Sequence, residues 1–480
     1  MKDTSPDKPS RKTFDTRLQR MIDRIRSDIW SGVYGPGDFL PAEKSLTEQF
    51  ELSNKSVRKG LESLVAEGLI VKIDRVGSRV TDHVPGGATI TLGYTHSIER
   101  DIALSALLDD FQSLHPYVRV KTLEIKSVSS YIATATEYMD NGLVDVFTLN
   151  NQDFQNIVDS GERLRLDRLP PDPGLYRFAQ AAFECEGELH ARPLVFSPII
   201  LAYNRAHFRE SGVPEPDGSW TWEDAVRHAA QLTKPGIRHG LYFYLLSDNR
   251  WPAFLLQSGE RFRPEPDGRL RLAGSRLLDS VRLCRSLIAN RDIFPNYLSE
   301  NSDDVNELFM QGKVSMIMTN YMTINDFKNT DLDYDISPLP YLYEPRSLMN
   351  VIGAAVSAKS RHPEAARQLA DYFASPRAQK LIRERTLSLP AHKETAELPG
   401  YGEDGMNRPS RYSLFREIMA SYRLHRELGL TTSSFSAFRQ LLKKYCSGLI
   451  DEEELCRQAS ALPFPSDPSA LSGSPSTGGR

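Results

Sequence analysis

The stretch LPAEKSLTEQFELSNKSVRKGL, residues 40–61, places two short helices almost end to end. Pro41 opens the first, where a missing N–H costs nothing, and Leu46 and Phe50 lie one turn apart on it. Ser53 is a good N-cap for the second. Its apolar stripe is Val57, Leu61, Leu64 and Val65, and Gly68 follows where a C-terminal glycine belongs. Two helices so tightly joined predict a helix-turn-helix. The opposite face of the second helix carries Ser53, Asn54, Lys55, Ser56, Arg58 and Lys59, the hydroxyl, amide and cationic groups that read phosphates and base edges. Upstream, Leu18, Met21, Ile22, Ile25 and Ile29 predict a helix from about Phe14 to Trp30. Downstream, 69–73 and 78–80 flank Asp74-Arg75-Val76-Gly77 as a β-hairpin, with Arg75 and Arg79 basic near its tip. The fold class expected for this block is an α+β winged helix-turn-helix.

Charge agrees with that reading. Residues 1–85 carry fifteen basic and thirteen acidic side chains, a net of +2, although the 480-residue chain has a net charge of −4. Between Ser53 and Val80 six basic residues face three acidic ones, as a footprint on DNA requires. No apolar run approaches the ~18 residues needed to cross a membrane, and the first residues lack an apolar signal core, so a cytoplasmic protein without a membrane partner is expected. Cys185, Cys284, Cys446 and Cys456 form no C-x-x-C pair and no zinc-ligand spacing. They read as reduced thiols, and no metal or cofactor is expected.

The N-terminal block resembles the GntR family of bacterial regulators through residues 31–43 (SGVYGPGDFLPAE), 53–61 (SNKSVRKGL) and 67–70 (EGLI). The resemblance implies that Lys44, Ser56 and Arg58 contact phosphates or bases and that Gly77 lies where the wing enters the minor groove. Double-stranded operator DNA is the implied partner, and because a helix-turn-helix dimer reads two half-sites, a homodimer is expected. Asn54 stands where the family usually has Arg, and Arg75 where it has a wing glycine, so the operator sequence does not carry over.

After a turn-rich linker (84–88) the pattern changes to a strand at 89–94, an amphipathic helix at 101–114, a strand at 118–123, a helix at 131–139 and a strand at 144–149. Strands alternating with helices predict an α/β fold with a parallel sheet, whose ligands gather beyond the C-terminal strand ends. That rule nominates His96, Asn150 and Asn151. The segments FQSLHPYVRV (111–120), DVF (145–147), GELHARP (187–193) running into IILAYN (199–204), SWTWED (219–224), ELFMQGK (307–313) and VSAKSRHPEAA (356–366) resemble bacterial extracellular solute-binding proteins of the sugar-binding type. The resemblance implies a two-lobed α/β sensor over 89–463, with one lobe at 89–197 and 351–395 and the other at 198–345 and 405–460. It also implies a crossing segment near Pro198–Asn204 containing Tyr203, and a small solute, a mono- or oligosaccharide, in the cleft. Ser197, Trp251, Asn320, Tyr321 and Asn350 join the expected contacts, with an aromatic ring on the sugar face. The Ser-, Pro- and Gly-rich 464–480 reads as a disordered tail.

Together these readings predict a ligand-responsive regulator and no enzyme. Two alternatives stand beside it. One is a receptor for an ATP-driven importer with a vestigial head. The other is a pyridoxal-phosphate GntR regulator, for which Lys359 is the best Schiff-base candidate but lacks a Ser/Thr phosphate-binding pattern. No G-x-S-x-G, H-E-x-x-H or P-loop occurs, and Asp109-Asp110, Asp303-Asp304 and Glu452–Glu454 read as solvated faces.

Overall fold

The computed structural model describes residues 11–30, 32–74, 76–82, 88–126, 131–160, 164–245, 247–265, 270–295, 302–398 and 405–462. Most of the expected linker, Arg75 and the tail lie outside them.

The head is built from α1 (Arg11–Trp30), α2 (Glu43–Phe50) and α3 (Asn54–Ala66), followed by the hairpin β1 (Ile70–Ile73) and β2 (Gly77–Val80). Met21, Ile25 and Ile29 of α1 meet Leu46 of α2, Val57, Leu61 and Leu64 of α3, and Val80 of the wing in one buried cluster. Each such side chain contributes roughly 1.5–3 kcal/mol of transfer free energy before entropy is counted. Gly60 sits at the closest approach of α1 and α3: a Cβ there would lie 2.2 Å from Met21 Cε. The hairpin is antiparallel, with Ile70 opposite Val80 and Ile73 opposite Gly77.

The body opens with β3 (Ala88–Tyr94), α4 (Ile98–Ile102), α5 (Leu104–Leu114), β4 (Val118–Glu124), α6 (Tyr131–Asp140), β5 (Val146–Asn150) and α7 (Asn151–Asp159). The single helix expected over 101–114 is two. Ala103 breaks it with φ 53°, while the Glu99 carboxylate accepts the Ser105 N–H at 2.9 Å and its hydroxyl at 2.8 Å. β3 pairs in parallel with β4 and β5 as expected. The rest of the sheet is mixed. The strand Ser347–Val356 runs antiparallel to β5 and to Ala191–Asn204, and the latter is antiparallel to Val314–Asn320. Ala191–Asn204 is buried along its whole length, pairing with 347–356 through Pro198 and with 314–320 from Ile199 onward. One strand therefore belongs to two lobes, and a chain that crosses and returns must pair antiparallel to itself. The helix Thr432–Cys446 also reaches across, its Thr432 N–H donating to Asp159 at 2.7 Å.

Head and body touch. Tyr117, at the start of β4, packs on the head core, and Gly32 (φ 77°) lies so near Pro116 that a Cβ would be 3.1 Å from the ring. Asp110 and Glu452, expected to be merely solvated, are engaged: Asp110 accepts two bonds from Arg377 at 2.7 Å, and Glu452 pairs with Arg282 at 2.6 Å. All four cysteines are free, Cys284 fully buried. Among the described residues no helix is long and apolar enough to cross a membrane.

Candidate functional site

On the head, the cap expected at Ser53 forms: the Ser56 N–H donates to Ser53 Oγ at 3.3 Å and the two hydroxyls lie 2.6 Å apart. With Val57, Leu61 and Leu64 turned into the core, Ser53, Asn54, Lys55, Arg58 and Lys59 are left exposed, joined by Lys44 on α2. Ser56 is a correction. Its side chain is 5% exposed and engaged with Ser53, so it completes the cap and cannot reach DNA without breaking it. Arg58 Nε donates to Glu43 Oε2 at 2.7 Å, a pair linking α3 to α2. Gly77 is exposed with φ 144°, a conformation that favours glycine. Arg79 is half-buried and paired with Asp82 at 3.2 Å.

Between the lobes lies a cavity of about 210 Å³. Thr95 and Ser97 line it beyond β3, Thr148, Leu149 and Asn150 from the end of β5, and Asn320, Met322 and Thr323 from the end of 314–320. Asn350 and Ile352 contribute from the strand between, and Arg250 from the start of the helix Pro252–Gln257. Asn150 caps α7, its Oδ1 accepting the N–H groups of Gln152 at 2.8 Å and Asp153 at 2.9 Å. Asn320 Oδ1 accepts the Thr323 N–H at 2.8 Å and hydroxyl at 2.9 Å. Two buried polar atoms on the wall, Thr148 Oγ1 and Asn350 Nδ2, have no hydrogen-bond partner among the described residues. Buried orphans of this kind cost free energy until something satisfies them.

The charged groups of the wall differ in how far they are satisfied. Arg100 pairs with Asp101 at 2.9 Å, Asp326 at 3.3 Å and Asp303 at 3.5 Å. Burial alone would lower its pKa, but those carboxylates raise it. Burial pushes Asp101 upward in spite of Arg100, and pushes Asp153 up to about 6. Arg250 is 4% exposed. Its guanidinium donates to the Asn249 carbonyl at 3.2 Å and the Thr323 hydroxyl at 3.1 Å, with no ion pair among the described residues. Burial, then Arg100, bring it down to about 10.

Of the eight residues expected in the cleft, Asn150, Asn320 and Asn350 line it. The other five are corrections. His96 is out in solvent, 95% exposed, with Nδ1 3.1 Å from Glu124. Asn151 ties the start of α7 to a central strand of the sheet, its Oδ1 accepting the Val351 N–H at 2.9 Å. Ser197 accepts the Tyr321 N–H at 2.7 Å inside the crossing strand, and the Tyr321 hydroxyl donates to the Tyr412 carbonyl at 3.0 Å. Trp251 is packed in the core, stacked on Phe435 at 5.0 Å. Sequence reasoning missed Arg100, Asp101, Asp153 and Arg250. The signal available for Arg250 was its place immediately before the Trp-Pro that opens a helix. Lys359 is on the surface, paired with Asp140 at 2.9 Å and away from the cleft.

Comparison with known proteins agrees with this division. Residues 106–407 match the family described as Bacterial extracellular solute-binding protein, and residues 18–80 that described as Bacterial regulatory proteins, gntR family. The galactooligosaccharide-binding protein of Bacillus subtilis is 24% identical over 268 residues, covering 53% of this chain and 62% of its own length. The probable fructoselysine utilization operon transcriptional repressor of Escherichia coli is 32% identical over 83 residues, covering 17% of this chain and 32% of the repressor. Among solved structures, an ABC substrate-binding protein of Listeria monocytogenes in complex with cycloalternan superposes with a TM-score of 0.66 at 19% identity, over 78% of this chain and 97% of that one. These likenesses extend to fold and domain type.

Proposed function

Because the chain belongs to the bacterial extracellular solute-binding proteins and carries a gntR-family DNA-binding domain at its N-terminal end, we propose that it is a transcription regulator whose operator affinity is set by a small sugar-like solute bound between the lobes. Both matched families are regulatory or binding kinds. The observation that carries the reading is the direct seat of a basic, capped α3 domain on the lobe whose strand ends form the cleft, through Gly32, Pro116 and Tyr117. Lobe rotation on ligand binding then has a mechanical route to the head. A helix-turn-helix reads half-sites at fixed spacing, so the working form on DNA is a homodimer, inside the cell where the operator is.

Solute and operator affinities should be coupled by about 1–3 kcal/mol, and reciprocally. Fluorescence anisotropy on DNA from upstream of the protein's own gene, with and without a panel of sugars, measures the coupling. A flexible Gly-Ser insert at 84–87 should reduce it and leave solute affinity of the DNA-free protein unchanged. A monomer on its operator, or a full response despite the insert, would overturn this mechanism.

A further inference from the structure

The charge at Arg250 is buried without a direct ion pair among the described residues, and the carboxylate that acts on it, Asp303, does so from beyond ion-pair distance. Among the described residues no carboxylate pairs with it, whereas its neighbour Arg100 is held by three. A guanidinium has five N–H donors in a planar fork, and Arg250 places two of them on neutral oxygens. Leaving a cation in that state costs folding free energy, a cost natural proteins retain where a ligand will meet it. The orphaned Asn350 Nδ2 is a second donor on the same wall, and Thr148 Oγ1 adds a hydroxyl.

The rest of the lining narrows the ligand. None of the described residues on the wall is aromatic, so among them it is polar and charged groups, not a ring face, that would hold a sugar. The cavity, about 210 Å³, is smaller than usual drug-sized sites and suits one sugar unit rather than a chain. The wall's carboxylates leave Arg250 without a close partner: Asp101 is engaged by Arg100, Asp303 acts on Arg250 only at longer range from the rim, where 74% of its side chain is exposed and water screens it, and Asp153 closes the α7 cap on the Asn150 N–H.

We propose that the cleft binds a carboxylate-bearing monosaccharide, a uronate or aldonate, with its carboxylate on Arg250, its hydroxyls on the asparagines and Thr148, and its C–H faces on Leu149, Met322 and Ile352. A planar carboxylate matches the fork in two parallel bonds. This rests on the reading of the cleft as the solute site.

The test is thermal shift and calorimetry on the full chain with D-glucuronate, D-galacturonate, D-gluconate, glucose, galactose and glucose 6-phosphate. At least one carboxylate should raise the melting temperature, with its neutral parent at least tenfold weaker. Arg250→Met should abolish that shift and yet melt higher than the parent protein when ligand-free, because it removes a buried charge without a close partner. Arg250→Lys should keep part of the response, and Asn350→Leu should weaken binding without lowering the ligand-free melting point. A neutral sugar that binds as tightly, in the parent and in Arg250→Met alike, overturns the acidic assignment and leaves the cleft as a solute site. A clear preference for glucose 6-phosphate overturns carboxylate in favour of phosphate. If no sugar, acidic or neutral, shifts the melt, this proposal and the solute-site reading fall together. A ligand-free Arg250→Met that melts lower assigns the guanidinium a structural role and overturns the proposal.

Discussion

Arg250 and Trp251 are neighbours in the chain and end in opposite roles. The indole is 1% exposed, lies nearly parallel to Phe435 at 12°, and directs its N–H at Asp248 3.4 Å away. Trp251→Ala should therefore cost about 3–5 kcal/mol by removing a buried aromatic. Trp251→Phe should recover much of that, since the stack on Phe435 survives. Urea melts of the two variants decide it. A Trp251→Ala protein of undiminished stability that has lost solute binding would return the ring to the cleft.

At the scale of the element, α3 shows how one helix holds both a fold and an interface. Its cap depends on Ser53, so Ser53→Ala should destabilise the head by about 1 kcal/mol, read from its urea transition. No change would mean that Ser56 alone suffices. The Arg58–Glu43 pair is a surface contact, 63% and 34% exposed, and adds little stability. Its consequence is for DNA, because a phosphate must compete with Glu43 for Arg58. Glu43→Gln should tighten DNA binding and steepen the salt dependence by about one phosphate contact, and Arg58→Ala should do the reverse. Identical salt slopes in both variants would take Arg58 out of the interface. α4 and α5 carry the comparable lesson for the cleft: the break at Ala103 separates the turn holding Arg100 and Asp101 from the helix that packs on the lobe core.

Across the whole molecule, buried and half-buried histidines contribute to the response to acid. Burial pushes His425 and His207 down to about 4, the latter with help from Arg238. Unfolded, each titrates near 6.5. As pH falls from about 6.5 to 4 the unfolded chain takes up these protons and the native state does not, so stability is lost across that window. Asp153 acts oppositely. Raised to about 6 by burial, against ~3.9 when unfolded, it gains its proton in the native state first and contributes stability as pH falls through 6. Asp101 and Asp248, also raised by burial, act as Asp153 does and offset part of that loss. His115, His190 and His239, lowered by burial, add to the loss with His425 and His207. Urea melts at pH 7, 6 and 5 should show that decline, and Asp153→Asn should steepen it. Stability unchanged from pH 7 to 5 would mean these imidazoles are not held neutral.

What could be read without the structure was whatever depends on nearest neighbours along the chain. Apolar spacing placed α1, α2 and α3, the serine cap and the two wing strands, because period, cap and turn are local properties of the backbone. The alternation through β5, and the rule that ligands collect at strand ends, led to Asn150, as the resemblance led to Asn320 and Asn350. The tertiary structure decided which polar or aromatic group at such an end faces the cavity. A one-residue step turns a side chain to the other face, so Asn150 reaches the cleft where Asn151 braces the sheet, and Arg250 reaches it where Trp251 is packed away. It also decided the charge balance. Arg100 and Arg250 look alike in a string of letters, and only the packing of segments two hundred residues apart adds Asp303 and Asp326 to the adjacent Asp101 around one and leaves the other, among the described residues, buried without an ion pair.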